Sequence, residues 1–359
     1  TTHLDQEGIS FLFDELRYYY GALVLISHDR VVLDALVTTI WEVRDGEVHV
    51  YSGNYSDYQV QKQVEREQQS QAHEQFIKEK NRLKKSAQEK MKKAKKITQA
   101  GNMSKREANA TPNKSLMTKS KGTSQKSVHR AAKAIEQRIE HLKEVEAVQE
   151  ESQIVFRQSK TVELYNKFPI MADQLTLQVK ENVLLNKTSF QLPLGKKIAI
   201  TGANGVGKST LLHHISNNGA GLTISPKTKI GYFRQMSYRF TSDETVLEFV
   251  KSHSEYDEGF LRSVLHAMQF VDTDIQKNVQ SLSGGEMIRL QLCQLFLGEY
   301  NILLLDEPTN FLDVPAIEAL EQFIAGYEGT IILVSHDQAF IKNVADIKYS
   351  IIEKKLTRE

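Results

Sequence analysis

Gly202-Ala203-Asn204-Gly205-Val206-Gly207-Lys208-Ser209-Thr210 fits the pattern G-x-x-x-x-G-K-[ST] without a mismatch. The run Lys197-Ile198-Ala199-Ile200-Thr201 leads into it and Thr210-Leu211-Leu212-His213-His214-Ile215 leads out, which predicts a strand, a glycine-rich loop and a helix. Glycines let backbone N–H groups converge on phosphate oxygens, and a helix N-terminus adds positive potential. In such a loop Lys208 reaches the β- and γ-phosphates and the Ser209 hydroxyl meets Mg²⁺. An ordinary glycine-rich turn would not explain the flanking strand and helix.

Further motifs follow in order. Gln235 ends Ile230-Gly231-Tyr232-Phe233-Arg234-Gln235, which reads as a strand running into a loop. Leu282-Ser283-Gly284-Gly285-Glu286 precedes an amphipathic helix expected over 287–297. Ile302-Leu303-Leu304-Leu305 is a continuous apolar run, the mark of a buried parallel strand. Asp306 and Glu307 stand at its carboxyl end, where α/β sheets place their ligands. Phe311-Leu312-Asp313 follows, then a second such run, Ile331-Ile332-Leu333-Val334, ending in Ser335-His336-Asp337. Singly, LSGGE could be a helix-entry turn and His336 a satisfied core histidine. In this order, after a phosphate loop, the set resembles the nucleotide-binding domain of ABC ATPases over roughly residues 170–359.

That resemblance implies ATP and Mg²⁺ as ligands and assigns roles. Gly202, Ala203, Asn204, Gly205, Val206, Gly207, Lys208, Ser209 and Thr210 would cradle the phosphates. Asp306 would hold Mg²⁺ through water, with Ser209 and Gln235 completing the shell. Glu307 would be the general base for the attacking water, and His336 would contact the γ-phosphate and help organise Glu307. Ser283, Gly284 and Gly285 would clamp ATP held on a partner domain, with Asp313 also counted at the nucleotide interface. The family pattern has an aromatic residue stacking on adenine about two dozen residues before the loop, whereas this chain has Val179 there. The choice between ATP and GTP is therefore left open.

Residues 2–29 align with 310–337 at a constant offset of 308, without gaps. Leu4-Asp5 falls on Leu312-Asp313, Ser27-His28-Asp29 on Ser335-His336-Asp337, and Trp41-Glu42-Val43 on Tyr349-Ser350-Ile351. A repeat on this scale implies repeated domains. Residues 1–56 read as the C-terminal remnant of a first nucleotide-binding domain, in a chain that is a fragment of a longer tandem protein. An unrelated small domain would not explain a gapless register.

Residues 57–160 have a different character, with 24 Lys and Arg against 13 Asp and Glu. The rest of the chain carries 22 against 32, so the overall +1 hides a strong asymmetry. Residues 78–133 alone hold 18 basic and 3 acidic side chains. Apolar positions at Leu83, Ala87, Met91, Ala94 and Ile97, and again at Ala132, Ile135, Ile139, Leu142 and Val145, are spaced by threes and fours. Turn-prone Gly101-Asn102, Pro112-Asn113 and Gly122 lie between them. The expectation is an antiparallel α-helical hairpin with a tip at about residues 100–127, where Leu116-Met117 is the one large apolar pair. Its first arm, about residues 57–99, would run roughly 65 Å at 1.5 Å per residue. So dense a positive charge, with few carboxylates to pair it, suits a polyanion partner better than a solvated spacer. No sequence-reading nucleic-acid module is present, so phosphate and shape contacts are expected.

Tandem ABC domains joined by a basic hairpin resemble the ABC-F family of translation factors. Tyr51-Ser52-Gly53-Asn54-Tyr55-Ser56-Asp57-Tyr58 resembles that family's linker entry. The long tip is most similar to the ribosome-protecting, antibiotic-resistance branch, the Vga- and Lsa-like proteins. The resemblance implies binding in the ribosomal E site, with the hairpin against rRNA and P-site tRNA and the tip near the peptidyl-transferase centre. A housekeeping factor that regulates or rescues stalled ribosomes is the alternative within the family. The expected fold is α/β: an ABC-type domain with a mixed sheet and helices over 161–359, plus the hairpin over 57–160. Its partners are the ribosome and either an upstream first domain or a second copy. The longest apolar runs fall short of the roughly 20 residues that cross a bilayer. The single cysteine, Cys293, permits no intrachain disulfide, so a cytoplasmic setting is expected. An exporter subunit would leave the basic hairpin unexplained. An SMC-type ATPase would place its coiled coil between the phosphate loop and LSGGE, and here those motifs lie close together.

Overall fold

The structure is a computed structural model that describes residues 6–27, 29–44, 46–101, 130–131, 133–135, 137–139, 142, 154–157, 164–234 and 240–359. Several residues singled out in the sequence lie outside the described set: Gln235, His28, Leu4, Asp5, most of the tip including Leu116 and Met117, and the seam positions Ala132 and Val145. The chain forms two compact units, one of Thr1–Tyr55 with Glu151–Glu359 and one of Ser56–Glu150.

The first unit is α/β. Its main sheet runs in the order β11-β10-β5-β9-β8-β7, with β5 at Lys197–Thr201, β7 at Ile230–Phe233, β8 at Ile302–Asp306, β9 at Thr330–Val334, β10 at Ile347–Ile352 and β11 at Lys355–Arg358. Five strands are parallel and β11 is antiparallel to β10, so the sheet is mixed. β8 and β9 are buried throughout, as continuous apolar runs in a parallel sheet must be. Their side chains alternate between two cores. Leu303, Leu305, Ile331 and Leu333 face one with Phe296 and Phe323; Ile302, Leu304, Ile332 and Val334 face the other with Leu211 and Ile215. The second core is closed by an antiparallel sheet of β3 (Ile170–Val179), β4 (Asn182–Leu192) and β6 (Leu222–Ile224). The sheets are joined where Asn186 N–H donates to Lys354 O at 2.8 Å and Leu356 N–H to Thr188 Oγ1 at 3.0 Å.

The offset of 308 is visible in three dimensions. The helices α1 (Gln6–Arg17) and α2 (Arg30–Leu36) and the strands β1 (Thr39–Arg44) and β2 (Glu47–Ser52) precede the long helix α3 (Tyr55–Gly101). After the phosphate loop come α4 (Lys208–Ser216), α5 (Val246–Ser252), α6 (Glu258–Ala267), α7 (Asp272–Ile275), α8 (Gly284–Leu297), α9 (Val314–Gly326) and α10 (Gln338–Val344). α1, α2, β1 and β2 match α9, α10, β10 and β11 in register. The turns before α2 and α10 are built alike. Ser27 Oγ accepts from Asp29 N–H and Ser335 Oγ accepts from Asp337 N–H, both at 3.1 Å, and each aspartate caps the helix that follows. The match fails at residues 22–27, which form no strand although residues 330–334 are β9. A strand exists through its ladder partners, and Val24 and Ile26 are 82 % and 93 % exposed.

α3 carries the first arm of the expected hairpin. Its 47 residues span about 70 Å at 1.5 Å per residue. Leu83 and Ala87, on the predicted seam, are buried, while Lys84, Lys85 and Lys92 are exposed. Helical backbone recurs at residues 130–131, 133–135 and 137–139. Among the described residues no helix is long and apolar enough to cross a membrane.

Candidate nucleotide site

Four adjacent parallel strands, β5, β9, β8 and β7, bring their carboxyl ends to one edge, where the loops that follow them converge. The phosphate loop connects β5 to α4. Gly207, at φ 108°, is the residue before α4. A Cβ there would sit 3.0 Å from Leu184 Cβ, so both the conformation and the space call for glycine. Lys208 is 7 % exposed, and its ammonium donates to Gly202 O at 2.8 Å and Ala203 O at 3.0 Å. A buried cation thus lies at the loop, facing any anion that the N–H groups draw in.

Ser209 Oγ donates to Asp306 Oδ1 at 2.8 Å, and Tyr232 OH donates to Asp306 Oδ2 at 3.4 Å. Burial pushes the Asp306 carboxyl above the usual range, against the pull of both hydroxyls. The hydroxyl and carboxylate are hard oxygen donors, the set that suits Mg²⁺. Tyr232 is the partner that the motif reading leaves without a role. Its signal is an aromatic hydroxyl on β7, the strand beside Asp306.

Glu307 has φ 50°, a left-handed conformation that costs a β-carbon residue on the order of 1–2 kcal/mol. Its N–H donates to Val334 O at 2.9 Å, which ties it to the end of β9. Its carboxylate is held at both oxygens: Oε1 lies 3.2 Å from His336 Nε2, and Oε2 accepts from His336 N–H at 3.2 Å. Burial raises its carboxyl to about 7, the His336 N–H opposes that, and the Asp306 charge adds to it. Thr309 Oγ1 and Ser335 Oγ are 3.2 Å apart, linking the loops after β8 and β9.

The structure therefore joins Lys208, Ser209, Asp306, Glu307 and His336 at one edge. Ser283 has separate business. It caps α8 in a capping box, with Ser283 N–H donating to Glu286 Oε2 at 2.7 Å and Ser283 Oγ accepting from Glu286 N–H at 3.4 Å. That cap starts α8 at Gly284, three residues before the helix start expected from the apolar pattern. Gly284 has open space beside its Cα, and a Cβ on Gly285 would meet Phe311 O only at 3.8 Å. Asp313 caps α9 through Ala316 N–H at 3.0 Å. Val179 is 45 % exposed at the end of β3.

A phosphate loop, a base-like carboxylate and a helix-capping LSGGE turn on a mixed sheet define an ABC-type nucleotide-binding domain. Two family models described as ABC transporter match residues 185–310 and 41–111. The erythromycin resistance ATP-binding protein MsrA of Staphylococcus epidermidis is 40% identical over 352 residues, 98% of this chain and 72% of its own length. The ribosome protection protein VmlR of Bacillus subtilis (strain 168) is 29% identical over 99% of this chain and 65% of its own length. ABC transporter F family member 5 of Arabidopsis thaliana is 30% identical over 96% of this chain and 46% of its own length. The chain belongs to the ABC-F family of ATP-binding proteins. It spans between 46% and 72% of the length of these relatives.

Proposed function

We propose that the protein hydrolyses ATP at this site and uses the cycle to bind the ribosome and protect it from antibiotics of the peptidyl-transferase centre. The observation that carries the hydrolytic part is the clamped pair Glu307–His336, one residue beyond the Asp306–Ser209 contact. Glu307, fixed at both oxygens, takes the proton of the attacking water. His336 keeps it in place and meets the γ-phosphate, and Lys208 with the loop N–H groups neutralises phosphate charge. Ser209, Asp306 and Gln235 would hold Mg²⁺, whose contribution when bound is countercharge on the phosphate oxygens. Phosphoryl transfer depends on this positioning and charge more than on covalent chemistry. Ser283, Gly284, Gly285 and Asp313 act on nucleotide held by a partner, either a first domain to which residues 1–56 belong or a second copy. The exposed apolar face of β1 and β2 supports the first-domain reading.

The ribosomal part rests on the basic segment 57–160 and the exposed lysines of α3. It rests also on the company the chain keeps, a protein named for erythromycin resistance and one named for ribosome protection. The domain plan, with the second nucleotide domain at 161–359, and a cytoplasmic location belong to the same proposal. The deciding experiment is cell-free translation with increasing drug, with and without the protein, paired with co-sedimentation on ribosomes. A rightward shift of the inhibition curve supports protection. Ribosome binding without that shift would favour a factor that regulates or rescues translation.

A further inference from the structure

We infer that Arg30, a residue of the first repeat, is a positioning residue for His336 of the second. The inference rests on the roles given above to Glu307 and His336. Helices α2 and α10 occupy equivalent positions in the two repeats and pack against each other, so like meets like. Arg30 opens α2 and is 7 % exposed. Its Nη1 donates to Glu321 Oε1 on α9 at 2.8 Å, and Glu321 Oε2 accepts from Asn343 Nδ2 on α10 at 3.1 Å. Nε and Nη2 of Arg30 have no hydrogen-bond partner among the described residues.

A buried guanidinium with idle donors is a poor way to gain stability. Unpaired buried N–H groups cost free energy, and buried ion pairs are often no better than apolar packing. The repeat supplies its own control, because the residue matching Arg30 is Gln338, which opens α10 without a charge. What Arg30 adds is a cation among carboxylates. Burial raises both the Glu321 and the Asp337 carboxyls and the Arg30 charge lowers both, while the Asp337 charge raises Glu321 and the Asp29 charge raises Asp337. Asp337 is the residue after His336, and its N–H is held by Ser335 Oγ at 3.1 Å. Without Arg30, the partly buried carboxylates of Glu321 on α9 and Asp337 at the cap of α10 would lose the cation that offsets their repulsion. The start of α10 would move away from α9, and His336 would move with it from its 3.2 Å contact with Glu307. The geometry of the second site is thereby made to depend on the first repeat.

The test uses protein containing all of residues 1–359, with single-turnover ATP hydrolysis, nucleotide affinity and amide exchange of residues 335–344 as readouts. Arg30→Gln should slow hydrolysis on the order of tenfold through misplacement of the histidine, leave nucleotide affinity unchanged and speed exchange in that segment. Arg30→Lys should restore part of the rate, and Glu321→Gln, which removes one of the two carboxylates, should recover much of the rate when combined with Arg30→Gln. In a His336→Ala background Arg30→Gln should add nothing, since residues acting in one chain are not additive. Wild-type hydrolysis by Arg30→Gln, or a full extra loss in the His336→Ala background, overturns the inference. Should Glu307→Gln and His336→Ala themselves hydrolyse normally, it is the reading of the site that fails. Faster exchange throughout β8 and β9 would show general unfolding and count against a positioning role.

Discussion

Gly326→Ala sets two effects of opposite sign against each other. Gly326 ends α9, and alanine favours a helix over glycine by up to about 1 kcal/mol. A Cβ at this position, however, would lie 1.9 Å from Ile154 O and 3.0 Å from Ile154 C, both backbone atoms of the segment that enters the domain. That segment cannot yield by a side-chain rotation. It is fastened by Phe156 N–H to Gly326 O at 3.0 Å, and Phe156 is 1 % exposed among Phe260, Phe296 and Phe323 at 5.7, 5.3 and 5.1 Å. Lifting it forfeits a hydrogen bond worth about 1 kcal/mol and part of a buried aromatic worth about 1.5–3 kcal/mol. Packing wins, and the variant should lose roughly 1–3 kcal/mol after the helix gain is subtracted. In a domain of this size that lowers Tm by about 2–12 °C. Thermal unfolding followed by circular dichroism reads the shift, and Phe156→Ala combined with Gly326→Ala should cost less than the sum of the two. An unchanged or raised Tm would refute the reasoning, because propensity would then outweigh the close approach.

Three further outcomes follow from the site and the basic helix. Glu307→Gln should bind ATP as well as the parent and lose hydrolysis by at least about 100-fold, since the amide cannot take a proton from water; parental turnover would remove Glu307 from its role. Reversing the charge of Lys84, Lys85 and Lys92 together should weaken ribosome binding and reduce the slope of log affinity against log salt by up to about three units. An unaltered slope would make α3 a spacer. Shortening the chain between Gly101 and Gln125 should leave basal ATPase intact and abolish drug protection in cell-free translation, whereas retained protection would move the reading to a regulatory translation factor.

The nucleotide site is legible in the sequence because its parts are local. A phosphate loop needs glycine at a left-handed position and a lysine at the helix start, and both are written within nine residues. β8 and β9 are legible for a related reason: four apolar residues in a row, Ile302–Leu305 and Ile331–Val334, are too few for a buried helix and suit a strand buried on both faces. The clamp on Glu307 is less so. It depends on φ 50° at Glu307 and on its N–H reaching Val334 across the sheet, which no local pattern announces. Tyr232 and Arg30 are illegible for the same reason, since each acquires its meaning from a partner more than 70 positions away.

The repeat shows most plainly where local reading stops. Trp41 and Val43 match Tyr349 and Ile351, and all four stand in strands of matching register. Tyr349 and Ile351 are 6 % and 5 % exposed, while Trp41 and Val43 are 66 % and 75 % exposed. The hairpin of β1 and β2 forms in either setting because its six cross-strand pairs are made within 14 residues. Residues 22–27 match a central strand, whose ladder partners come from distant segments, and they form none. In the first repeat the local pairing is present and the long-range pairing is not. That difference separates alternation, which a sequence carries by itself, from burial, which it acquires from whatever its apolar face is packed against.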